Sequence, residues 1–130
     1  MARIEKTIEI DRSPGEVWNV VGDVYNIADW LPALSASKKL DNGNRQCTME
    51  GGGDLEEEIT SVDDANRRLE YTITTAPMPI DSHRATMEVA DNDGSSTVTW
   101  VTEVTPDEIG PALEPMFDQG LVALKERLEG

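Results

Sequence analysis

Three polar side chains fall where a two-residue alternation otherwise places apolar ones. Glu57 sits between Leu55 and Ile59, Tyr71 between Leu69 and Ile73, and His83 leads into Ala85, Met87 and Val89. On a strand such residues share the buried face, and a polar group there must be paired, solvated or functional. A desolvated Glu57 carboxylate would hold its proton tightly and serve as an acid or base. His83, the single histidine, would donate to a ligand carbonyl or exchange protons near neutral pH. Tyr71 would offer its hydroxyl inward. As base, shuttle and donor the three would suit general acid–base work. Each also has a plainer reading. A bulge or one-residue slip beside Gly51-Gly52-Gly53 would turn Glu57 to solvent. His83 would be a hydrogen-bonded wall residue, and Tyr71 a core aromatic with its hydroxyl tied up.

Other chemistry is excluded by spacing. Gly51-Gly52-Gly53 lacks the lysine and succeeding helix of a phosphate loop. Asp91-Asn92-Asp93-Gly94 opens like a calcium loop but has no later ligands. Glu56, Glu57 and Glu58 alternate faces, and Cys47 with one histidine does not make a zinc site. Ser82 points away from His83 on a strand, so they form no nucleophile and base pair. No metal or organic cofactor is implied.

The charge balance is lopsided, with 26 acidic residues against 11 basic ones and a net charge of −15. Such a surface repels phosphate backbones and anionic bilayers, which argues against nucleic-acid binding. It serves solubility, in a salt-rich host for example, or it docks a basic partner. No stretch of about 18 apolar residues or signal-like leader is present, and Cys47 has no disulfide partner. The expectation is a cytoplasmic protein without membrane insertion, a monomer or weak homodimer.

The elements that must position these side chains are legible in turn. Ile4, Ile8 and Ile10 alternate with Glu5, Thr7 and Glu9 as a half-buried strand. Ser13-Pro14-Gly15-Glu16 reads as a capping box opening a short helix that Gly22 can end, and a second short helix covers Asn26 to Trp30. From Leu34 to Val104, Asp/Asn/Gly turns punctuate successive strands, for seven in all. Pro77 and Pro79 flank Met78 in a segment, Ala76 to Ile80, expected to act as a flap. Thr105-Pro106-Asp107-Glu108 repeats the capping pattern, but Pro115 should kink the chain beyond it, leaving a regular helix from about Pro115 to Leu128. Met116, Gly120, Leu124 and Leu128 recur every four residues along it as one apolar stripe.

In this order the chain resembles the START and polyketide-cyclase superfamily, which includes birch-pollen-allergen-like proteins. The likeness rests on Ser13-Pro14-Gly15-Glu16-Val17-Trp18, Asp29-Trp30-Leu31-Pro32, Arg67-Arg68-Leu69-Glu70-Tyr71 and the closing helix from Gly120 to Leu128. It implies an α+β helix-grip fold over residues 1–130: a curved antiparallel sheet around a long C-terminal helix. It also implies a cavity for a small hydrophobic or amphipathic, lipid- or polyketide-like ligand. Trp30, Glu57, Tyr71, His83 and Met87 are expected to line it from the sheet and loops, with Trp100 beside them. Met116, Gly120 and Leu124 would face them from the helix. A mid-helix glycine costs roughly 1 kcal/mol relative to alanine, so Gly120 marks either room for a guest or a close backbone approach. Binding without chemistry is the leading expectation. The alternatives are a cyclase or dehydratase using Glu57, Tyr71 and His83, and an acidic interaction module.

Overall fold

The computed structural model describes residues 1–130. Strand β1 (Ala2–Ile10) leads into helix α1 (Pro14–Val21) and a 3-10 helix over Val24–Asp29. Six more strands complete the sheet: β2 (Leu34–Lys39), β3 (Arg45–Met49), β4 (Asp54–Asp63), β5 (Arg68–Thr75), β6 (Ser82–Asn92) and β7 (Ser95–Thr105). A short 3-10 turn at Asp107–Ile109 then precedes helix α2 (Gly110–Glu129). The sheet is wholly antiparallel in the order β1-β7-β6-β5-β4-β3-β2. It is an α+β helix-grip fold, a curved seven-stranded sheet holding a long C-terminal helix. None of its helices is long and apolar enough to cross a membrane.

Local chemistry sets most of these boundaries. The Ser13 hydroxyl accepts from the Glu16 amide at 3.3 Å, so the N-cap forms as read. The reciprocal half of the box does not: the Glu16 carboxylate takes the Ser13 hydroxyl proton at 3.0 Å in place of the Ser13 amide. The β6–β7 hairpin turns through Asp93 and Gly94, both at positive φ, the pairing that a tight two-residue turn demands. Gly51, Gly52 and Gly53 all adopt φ between +92° and +107°, a run that only glycine takes without strain. β7 alternates without a break, with Val98, Trp100, Thr102 and Val104 inward.

Two expectations about the chain's end need correction. The Thr105 cap does not form: the Thr105-Pro106 peptide is cis, and the 3-10 turn beyond it has no side-chain cap. Helix α2 begins at Gly110, five residues ahead of Pro115, and carries that proline inside it. Packing outweighs the lost hydrogen bond. Gly110 is buried so close to β1 that a Cβ would lie 2.8 Å from that of Ala2. The first turn is thus held by the sheet edge despite Pro115.

Helix α2 lays Phe117, Leu121 and Leu124 into the core, all 2% exposed or less. Full burial of side chains of this size stabilises by roughly 1.5–3 kcal/mol each. Opposite them Trp100 packs at 4.3 Å from the Phe117 ring and edge-on to Trp30 at 5.8 Å. Gly120 sits in this layer. A Cβ there would come within 2.5 Å of Leu31 Cδ1 and 3.3 Å of Trp100 Cζ3. The close-approach reading of Gly120 is the correct one, and the seam is closed at this level.

Candidate functional site

Toward the N-terminal end of α2 the sheet and helix part. A hollow of about 260 Å³ lies between them, lined by Ile27, Leu31, Ala33 and Leu34 on one side and by β3, β4, Tyr71, Trp100 and Met116 on the others. Its only acidic or basic lining residues are Glu50 and Glu57; the remainder is apolar or aromatic. Glu50 is exposed and marks the mouth. A second hollow of about 50 Å³ adjoins it, sharing Met49, Leu55, Glu57, Tyr71 and Met116 and adding His83. Met78 and Ile80, from the segment read as a flap, complete its wall with Ile73, Leu113 and Phe117.

Glu57 faces inward and is 6% exposed. The bulge anticipated beside the glycines does occur, between Glu56 and Glu57 on the side of β5, yet it does not turn Glu57 to solvent. The reason lies on the other side, where Glu57 pairs in register with Arg45 of β3. Arg45, 1% exposed, donates from Nε to Glu57 Oε1 at 2.8 Å and from Nη1 to the Val24 carbonyl at 2.6 Å. Arg45 Nη2 also lies 2.6 Å from Oε1, but off the hydrogen-bonding direction, so that contact is an ion pair without a formed hydrogen bond. Cys47 Sγ donates to the same oxygen at 3.4 Å. Every hydrogen bond and ion pair of the carboxylate ends on Oε1; Oε2 has no donor from the protein.

Glu57 is therefore one half of a buried ion pair, in place of the isolated carboxyl that strand alternation alone suggested. Arg45 was missed by sequence reasoning, although a signal existed. The turn centred on Gly51 folds β3 onto β4 so that position 45 meets position 57, placing opposite charges on one buried face. Burial works against the Arg45 charge, and Glu57, with Tyr71 and Cys47, more than offsets it, so the guanidinium stays charged. Burial, then the Glu57 charge, push the Cys47 thiol up to about 12, leaving it an inert neutral group.

Tyr71 lies beneath the Arg45 guanidinium, 4.8 Å from ring centre to Cζ, and its hydroxyl accepts from Trp100 Nε1 at 3.1 Å. Burial and the nearby Glu57 charge raise its ionisation well above the usual phenol range, so the group is a neutral O–H donor and no base. His83, 8% exposed, accepts the Ile73 amide proton on Nδ1 at 3.0 Å, which assigns its own proton to Nε2. Burial lowers its proton affinity below the ordinary value, so the ring is neutral at pH 7. Nε2–H finds no acceptor in the protein. Glu57, Tyr71 and His83 thus share the wall of the smaller hollow, with the Tyr71 and His83 rings 5.7 Å apart.

Of the other residues read as lining, Trp100 and Met116 do so. Trp30, Met87, Gly120 and Leu124 do not. Met87 and Leu124 are fully packed in the core, and Trp30 covers Gly120 where helix and sheet touch. The stripe of α2 is continuous, but only its Met116 end stands clear of the sheet. Ile27, Leu31 and Ala33, which wall the hollow with Leu34 at the start of β2, come from the segment joining α1 to β2, whose path over the sheet no local pattern announces.

The family described as polyketide cyclase / dehydrase and lipid transport matches residues 1–129 of the chain. Among solved structures, the protein XoxI from Bacillus cereus is 29% identical, with a TM-score of 0.92 over 98% of this chain and 96% of that one. A protein from Thermobifida fusca, solved by NMR, is 32% identical at a TM-score of 0.82, over 98% of this chain and 93% of its own. The Zhui aromatase/cyclase from a Streptomyces species superposes at 0.86 with 18% identity, covering 98% and 93%, a likeness of fold alone. Comparison with curated proteins gave no match.

Proposed function

The chain belongs to the polyketide cyclase/dehydrase and lipid-transport family, and from that premise we propose that it binds a small hydrophobic or amphipathic molecule, lipid- or polyketide-like, in the hollow beneath Met116. The observation that carries this is an apolar void of about 260 Å³ in a core that is otherwise closely packed. Close packing is the rule in protein interiors, and an unfilled apolar space forgoes dispersion contacts that a guest restores. The polar groups are few and convergent, as in sites that orient a ligand within an apolar wall.

The reading is tested by thermal unfolding of the purified protein against a panel of apolar and amphipathic compounds. A ligand present at 100 times its Kd adds about 2.7 kcal/mol to folding stability, a rise in Tm of several degrees. No rise with any member of a broad panel would remove the proposal.

A second reading, a cyclase- or dehydratase-like enzyme, is favoured by one observation: Glu57, Tyr71 and His83 line a common hollow. Tyr71 and His83 would donate hydrogen bonds to a carbonyl oxygen, and Glu57 Oε2 would take a proton from an adjacent carbon or hydroxyl. Mass analysis of a poly-ketone incubated with the protein tests it: loss of water or ring closure in the wild type but not in Glu57→Gln supports catalysis.

A further inference from the structure

The lining chemistry constrains what the hollow accepts, and this inference rests on the binding reading above. Glu57 is buried at the floor with Oε1 fully engaged and Oε2 without a donor, while Glu50 carries a second carboxylate at the mouth. No lysine or arginine lines either hollow. The nearby guanidinium of Arg45 donates to Glu57 and to the Val24 carbonyl, and its Nη2, which forms no hydrogen bond, is buried away from both hollows. A carboxylate oxygen without a protein donor that faces an apolar space is a strong acceptor open to a guest's hydroxyl.

We infer that the site selects a neutral, compact ring compound bearing a hydroxyl that donates to Glu57 Oε2, and that it rejects anionic amphiphiles such as fatty acids. A carboxylate guest would meet Glu50 on entry and Glu57 at the floor with no cation to receive it, inside a chain of net charge −15. A cationic guest is disfavoured for a different reason. Arg45 already neutralises Glu57, so a second buried cation would be desolvated without a counter-charge of its own. Volume sets the size. A dry apolar cavity of about 150 Å³ takes benzene, so one of about 260 Å³ admits roughly ten heavy atoms, a fused two-ring molecule. The hollow does not enclose an extended long acyl chain. The neutral donors Tyr71 O–H and His83 Nε2–H border the adjoining hollow and suit an oxygen on the same guest.

Calorimetric titration of the full chain at pH 7 with naphthalene, 2-naphthol and 2-naphthoate tests this. The expected result is 2-naphthol binding about tenfold or more tighter than naphthalene, as befits a hydrogen bond to a charged group, with 2-naphthoate at least tenfold weaker than 2-naphthol. In the double variant Glu57→Leu with Arg45→Met, which removes the pair without stranding a charge, the ratio of 2-naphthol to naphthalene affinity should fall to within about twofold. Equal binding of naphthalene and 2-naphthol by the wild type overturns the inference and leaves the cavity reading intact. So does 2-naphthoate binding as tightly as 2-naphthol. Failure of all three compounds to bind overturns both. The wild-type series decides the matter even if the double variant does not fold.

Discussion

The two ends of the seam between α2 and the sheet are built on opposite principles. Around Gly120 the helix backbone is drawn against Leu31 and Trp100, and Leu121 and Leu124 leave no space, while Phe117 marks the transition, packed on Trp100 and bordering the smaller hollow. Around Met116, a single turn nearer the N-terminus, the same helix stands over a hollow whose floor holds a buried ion pair. The closed end is apolar and anchors the helix. The open end concentrates the buried charge, the neutral donors and the void. One end holding firmly lets the other remain unfilled without the helix settling onto the sheet.

The largest expected effect comes from breaking the ion pair at the open end. Glu57→Leu alone strands the Arg45 guanidinium in the interior and should cost about 3–5 kcal/mol in urea unfolding. The double variant with Arg45→Met should recover most of that loss. A single substitution as harmless as the double would mean that Arg45 reaches solvent when its partner is gone.

Adding volume at each end separates them next. Gly120→Val must displace Leu31 and Trp100 and should destabilise by about 1–3 kcal/mol, and because both side chains also wall the hollow it should weaken the ligand-induced rise in Tm without abolishing it. Met116→Phe extends into the hollow and should cost no more than about 1.5 kcal/mol while abolishing the ligand-induced rise in Tm. The reverse ranking of the two variants would erase the distinction between a closed and an open end.

The smallest effect is a pH slope confined to the open end. His83 takes a proton less readily folded than unfolded because it is buried, so the unfolded chain binds that proton first as pH falls. Its contribution to stability is full above about 6.5, the ordinary value, and is lost as pH drops toward the lower folded value. Unfolding free energies measured from pH 7.5 to 5.5 should decline in the wild type and flatten in His83→Gln. Leu121 and Leu124 at the closed end do not titrate, so Gly120→Val should keep the wild-type slope.

Much of the fold was legible in the chain. Strand alternation and turn chemistry are local, so seven strands, the Ser13 cap and the hairpin at Asp93-Gly94 could be read from neighbouring residues. The inward aspect of Glu57, Tyr71 and His83 came from the same period of two. Where reasoning failed, a distant contact had overruled a local rule. The edge of β1 held the first turn of α2 in place despite Pro115, and Leu31 with Trp100 made Gly120 a point of contact.

By itself, then, the sequence determined the order of elements, the buried faces and the polar residues set among them, because those depend on spacing along a few residues. Tertiary structure alone decided that Arg45 would neutralise Glu57, that Oε1 and not Oε2 would be used, and that the void would open under Met116. Those outcomes depend on how a curved sheet and a long helix diverge with distance from their point of closest approach, a property of the assembled layers that no single segment carries.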